Sequence, residues 1–94
     1  MDISKALKEA RRVSGLSQTE FSKAFKLSQT YISQIESGKK IHSFEVVVKY
    51  QKSSKQPLAI IFWNSIDEKD VLNVKKKIFR VLKPLIDNLI AQIF

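Results

Sequence analysis

The run SQTEFSKAFKLSQTYISQIESGKK, from Ser17 to Lys40, constrains the fold more than any other part of the chain. It holds two apolar patterns of helical period, each opened by a serine, with only three or four residues between them. Ser17 reads as an N-cap, and Glu20 three residues later completes a capping-box arrangement. Phe21, Ala24 and Phe25 form the expected buried stripe of this helix. It can last only about two turns, because Lys26-Leu27 supplies a turn and Ser28 is a fresh N-cap. The next helix is expected over Gln29 to Ser37, with Ile32 and Ile35 turned inward and Gly38 ending it.

The flanks extend the same pattern. Ile3, Ala6, Leu7, Ala10 and Val13 recur at helical spacing, which predicts a first helix over 3–13 stopped by Gly15. Ser43 caps a fourth helix carrying Phe44, Val47, Val48 and Gln51 inward. The β-branched triplet Val46-Val47-Val48 leaves a strand open there. Ser53 to Pro57 reads as a linker, and Pro57 suits the first position of a short helix over Leu58 to Trp63. Ser65-Ile66-Asp67-Glu68 is a second capping-box signal. A long helix is expected after it, with Val71, Val74, Ile78, Val81, Leu82, Leu85, Leu89, Ile90 and Ile93 on one stripe. Pro84 is expected to kink or break that helix near Lys83. The expected fold class is all-α, with a strand left open at Val46-Val47-Val48 and, as a buried strand, over Leu58 to Trp63.

Composition limits the chemistry. The chain has 94 residues, enough for one small domain with an appendage. It has no cysteine and one histidine, His42, so thiolate chemistry and a histidine metal cluster are excluded, and no cofactor is expected. His42 reads as a loop residue. No run approaches the roughly 18 apolar residues of a spanning helix, and there is no apolar N-terminal stretch of signal-peptide length. A soluble, cytoplasmic protein without a membrane partner is the expectation. Net charge is +8, and residues 1–62 carry 11 Lys and Arg against 5 Asp and Glu, whereas residues 63–94 carry 6 against 4. A basic N-terminal two thirds suits a polyanion such as nucleic acid.

The polar positions of the Ser17–Lys40 run are mostly Ser, Thr, Gln and Tyr, where a surface built only for water more usually carries Glu and Lys. Two short helices joined by a tight turn match the helix-turn-helix unit, whose second helix presents its N-terminal residues to base edges in the major groove. Glutamine suits bidentate bonding to adenine, and Ser and Thr bond more permissively.

The chain resembles the lambda-repressor and Cro type of helix-turn-helix domain, the Xre family of bacterial and phage regulators. The resemblance covers about residues 3–63. It is carried by Leu7, Arg11, Gly15-Leu16-Ser17-Gln18, Phe21, Ala24, Phe25, Leu27-Ser28-Gln29, Tyr31-Ile32-Ser33 and Ile35-Glu36-Ser37-Gly38-Lys39. It departs from the family pattern at Lys26 (usually glycine), Ser22 (usually alanine), Ser37 (usually asparagine) and His42 (usually proline). The resemblance implies a five-helix bundle over residues 1–63 that binds operator DNA, commonly as a dimer. Residues 64–94 then form a C-terminal helical extension, with Leu85, Leu89, Ile90, Ile93 and Phe94 expected to pair with a second chain.

The same resemblance implies base contact at Gln29, Thr30, Ser33 and Gln34. It sets Gln18 against a phosphate at the helix N-terminus, where free N–H groups favour an anion. Ser17, Lys23, Lys26, Ser28, Tyr31, Lys39 and Lys40 are the further expected phosphate contacts, which set register without reading sequence. Tyr31 can equally reach a thymine methyl group or pack. Arg11 and Glu36 look like the family's structural ion pair. Phe62 and Trp63 read as core or interface, and Lys75-Lys76-Lys77 as a solvated helix face.

The reading is a transcriptional regulator, a repressor acting as a homodimer on a palindromic operator in double-stranded DNA. The DNA-binding antitoxin of a toxin–antitoxin pair, with a toxin as protein partner, stays open beside it, as does a restriction-modification controller. A protein-interaction adaptor is disfavoured, because it would more naturally expose apolar residues where Gln29 and Thr30 lie. No nucleophile–base pair or carboxylate constellation points to an enzyme.

Overall fold

Serine and aspartate caps at Asp2, Ser17, Ser28 and Ser43 and left-handed residues at Gly15, Lys26, Gly38 and Lys55 divide most of the chain into short helices. The computed structural model describes residues 2–40 and 42–94. Among them are six α-helices: α1 (Ile3–Ser14), α2 (Gln18–Phe25), α3 (Gln29–Glu36), α4 (Phe44–Ser54), α5 (Leu58–Ser65) and α6 (Lys76–Ile93). Two 3₁₀ turns, Glu68–Asp70 and Asn73–Lys75, lie between α5 and α6. No strand occurs among the described residues.

Helix α1 lies across α4 and α5, with α3 also against it. Ala6 and Ala10 let the backbones come close, while Leu7 fills the space between them. Phe21, Ile32, Ile35, Val46, Val47, Tyr50 and Ile61 complete this core. Phe21 stands with its ring centroid 4.4 Å from Tyr50 and 4.7 Å from Phe25.

Helix, not strand, forms at Val46-Val47-Val48, because Val46 and Val47 bury on the α1 side. The phase differs from the sequence expectation. The inward residues of α4 are Val46, Val47 and Tyr50, and Phe44 is 68% exposed. Tyr50 explains the rotation: its ring is core, and its hydroxyl finds a carboxylate (below). Val13 and Ala24, expected inward, face solvent.

The region after α5 corrects a second expectation. Ser65 caps nothing; it is the buried last residue of α5, its hydroxyl donating to the Phe62 carbonyl at 2.6 Å. Asp67 instead caps the first 3₁₀ turn, reciprocally with Asp70. Val71 and Leu72 are extended, and the long helix starts only at Lys76. Asn73 and the β-branched Val71 and Val74 are weak helix formers. Val74, 84% exposed, belongs to no stripe. Of the two outcomes expected at Pro84, a break does not occur: α6 runs through it. The Arg80 carbonyl loses its intrahelical donor on an exposed side, where water can replace it.

Candidate nucleic-acid interface

The α2–turn–α3 unit is built from local hydrogen bonds. The Glu20 N–H donates to Ser17 Oγ and the Ser17 N–H to Glu20 Oε1, each at 3.1 Å. These backbone and side-chain bonds hold the Glu20 carboxyl below its ordinary pKa. The turn needs one left-handed residue, and Lys26 takes that conformation at φ 56°. Ser22 pins it. The Lys26 and Leu27 N–H groups both reach the Ser22 carbonyl, and the Ser22 hydroxyl donates to the Leu27 carbonyl. Ser28 Oγ then accepts from the Tyr31 N–H at 3.0 Å and starts α3.

At its other end α3 is closed by Gly38 at φ 80°, after which the Lys39 and Lys40 N–H groups converge on the Gln34 carbonyl at 2.8 and 3.2 Å. These two lysine side chains are exposed beside the end of α3.

A buried ionic cluster holds α3 against the rest of the body. Arg11 donates from Nε to Glu36 Oε2 at 2.8 Å and from a terminal nitrogen to Oε1 at 2.9 Å. Its other terminal nitrogen reaches the Leu16 carbonyl at 2.8 Å. Tyr50 donates its hydroxyl to Glu36 Oε2 at 2.8 Å, and Gln18 donates its amide to Oε1 at 3.3 Å. One carboxylate, its side chain 3% exposed, thus joins α1, α2, α3 and α4. Burial pushes the Glu36 carboxyl up, but the donors from Arg11, Tyr50 and Gln18 outweigh it and hold the group below its ordinary value. Burial and then the bond to Glu36 push the Tyr50 phenol far up.

With α3 so fixed, Gln29, Thr30, Ser33 and Gln34 line one shallow depression together with Gln18. Gln29, Thr30 and Ser33 are exposed and Gln34 half-buried. Ser17, Lys23, Lys26 and Ser28 are exposed around α2 and the turn. Tyr31 is half-buried and packs on the core.

A family model described as helix-turn-helix matches residues 7–52. This segment is a helix-turn-helix domain of the Xre, lambda-repressor-like type. No curated protein and no solved structure matches the chain. The match supports a DNA-binding regulator in general, and the matched span contains every residue from Arg11 to Tyr50 named above. Two structural contributors to the domain are absent from the sequence reading. Tyr50 sits one helical turn from Val46 and Val47, a spacing that marks it as inward. Ser22 stands there only as a departure from the family's usual alanine, yet its hydroxyl closes the interhelical turn.

The helix α6 lies outside the matched span. Its inner face meets α5 at Trp63, whose Nε1 donates to Asp87 Oδ1 at 2.9 Å and whose ring centroid stands 6.3 Å from that of Phe79; within α6, Lys83 Nζ reaches the same Asp87 oxygen at 3.1 Å. Lys83 Nζ also stands 4.7 Å from the centre of the Trp63 ring. Ile90 is half-buried, near Ala6 and Val13 of α1, whereas Leu85, Leu89, Ile93 and Phe94 are exposed. No helix among the described residues is long and apolar enough to cross a membrane.

Proposed function

We propose that the protein is a transcriptional repressor that binds a two-fold symmetric operator as a homodimer. Residues 1–63 form the DNA-binding unit and residues 64–94 the dimerisation element. The observation that carries the reading is the convergence of Gln29, Thr30, Ser33 and Gln34 on one accessible face of α3. Exposed amides and hydroxyls at the start of a helix suit base edges in the major groove. Ser17, Gln18, Lys23, Lys26, Ser28, Lys39 and Lys40 surround that face and take the phosphates. Tyr31 is half-buried against the core, which leaves only part of it to meet the DNA. A dimer seated on an operator blocks transcription by occupancy alone.

The dimer rests on α6. Ile78, Leu82, Leu85, Leu89 and Ile93 are each about half exposed or more. Such side chains are worth roughly 1.5–3 kcal/mol each when fully buried. Five from each chain can meet an association cost of about 4–15 kcal/mol. Two α3 helices would then sit about one DNA turn apart, roughly 34 Å.

Selection of duplexes from a random pool with the purified protein tests this reading. The expected consensus has two-fold symmetry, with half-site centres about 10 base pairs apart. A single asymmetric half-site, or no enrichment, contradicts it.

A further inference from the structure

The geometry points to an antiparallel pairing of α6 with α6 of a second copy, centred on Leu85; this rests on the homodimer proposed above and specifies how it is made. The apolar stripe is the first observation. Ile78, Leu82, Leu85, Leu89 and Ile93 follow one another at spacings of three and four residues, and all face away from the body. The opposite face is already occupied by the Trp63, Lys83 and Asp87 contacts. The stripe is nearly symmetric about Leu85. Reversing one copy sets Ile78 opposite Ile93, Leu82 opposite Leu89, and Leu85 opposite its own counterpart.

Charge decides the direction. The helix enters on Lys75, Lys76 and Lys77, and its first turn has no acidic residue. Its last turn has no basic residue. Within one chain this opposes the helix dipole, which favours anions at the N-terminus and cations at the C-terminus. Arg80 and Lys83 add to the basic half, and Asp87 is the one charge in the C-terminal half. A parallel pair would stack both lysine-bearing ends together, beside two positive helix ends. An antiparallel pair brings exposed Lys77 of one copy to the last carbonyls of the other, at both ends of the contact. A second copy is thus the occupant whose charge distribution complements this helix.

The chain has no cysteine, so introduced cysteines report on this contact alone. Full-length Ile78→Cys and Ile93→Cys chains, mixed and mildly oxidised, should give about tenfold more covalent dimer than either variant alone, since a disulfide needs close Cβ approach. Leu85→Cys should cross-link with itself. All three positions are exposed in the single chain, so folding is not at stake. Self-linking of Ile78→Cys without a mixed product overturns the antiparallel arrangement while leaving the dimer intact. Sedimentation of the unmodified chain separates the two claims: a monomer at micromolar concentration rejects the dimer itself and assigns the stripe to a different protein.

Discussion

Residues 2–65 and residues 66–94 solve the same physical problem in opposite ways. In the first region the large apolar side chains of α1, α3 and α4 mostly turn inward, and the ionic cluster is enclosed with them. In the second region α6 has no buried residue; its body side mixes the Trp63–Asp87 hydrogen bond and the Trp63–Phe79 ring contact with half-buried Ile86 and Ile90, while Ile78, Leu82, Leu85, Leu89 and Ile93 face out. The first region is closed; the second is attached along one mixed side of α6 and unfinished on its outer apolar side. An apolar face left outward on a helix whose other side is already seated is the mark of an assembly surface, whereas a misplaced core residue would stand alone.

Removal of the central carboxylate strains this contrast most. Glu36→Gln leaves Arg11 buried without its counter-ion, and the expected loss of stability is roughly 3–5 kcal/mol, measured by urea unfolding. The pH dependence follows from the lowered Glu36 pKa. The stabilisation is fully present above about 4.3, the unperturbed glutamate value, and is lost as pH falls through the lower folded pKa. The Gln variant should lose that part of the acid limb.

A charge test comes next. Lys39→Ala and Lys40→Ala should each weaken binding to all DNA sequences and flatten the salt dependence by about one unit of slope. An unchanged slope in the double variant would move the phosphate contacts elsewhere, with Lys75–Lys77 on the second region as the next place to look. Relief of backbone strain is smaller and of opposite sign. Lys26→Gly removes a left-handed penalty of roughly 1–2 kcal/mol but adds the flexibility cost of glycine, about 0.5–1 kcal/mol. A net gain in stability is expected, read from the unfolding midpoint. Least of all should be felt on the second region: Leu85→Ser, 58% exposed in the wild type, should change the stability of the dilute monomer by less than about 0.5 kcal/mol. A large loss there would mean that the outward stripe is part of a fold-back core.

The two regions also differed in how far they could be read from sequence. Serines at positions 17, 28 and 43 and glycines at 15 and 38 are local signals, and the helices they delimit form with nearly those bounds. The phase of α4 was hidden because Tyr50 counts as polar until its hydroxyl meets Glu36, fourteen residues away in sequence. After α5 the local signals competed. Ser65 and Asp67 both resemble caps, and only the continuation of α5 to Ser65 decides between them. Arg11 and Glu36 were legible through the family pattern, and they lie 2.8 Å apart. The second and third partners of that carboxylate, Tyr50 and Gln18, depend on how three helices pack, which no local spacing encodes. On α6, periodicity revealed one wide stripe but not its division into Ile90, beside the body, and Leu85, Leu89 and Ile93, away from it.

The most direct measurement is the affinity of Gln29→Ala for the selected duplex and for random DNA at one fixed salt concentration. If the exposed start of α3 reads bases, the variant should lose about 1–3 kcal/mol on the selected duplex and relax preference at one base position, with random-sequence affinity nearly unchanged. Equal losses on both DNAs would contradict base reading by Gln29.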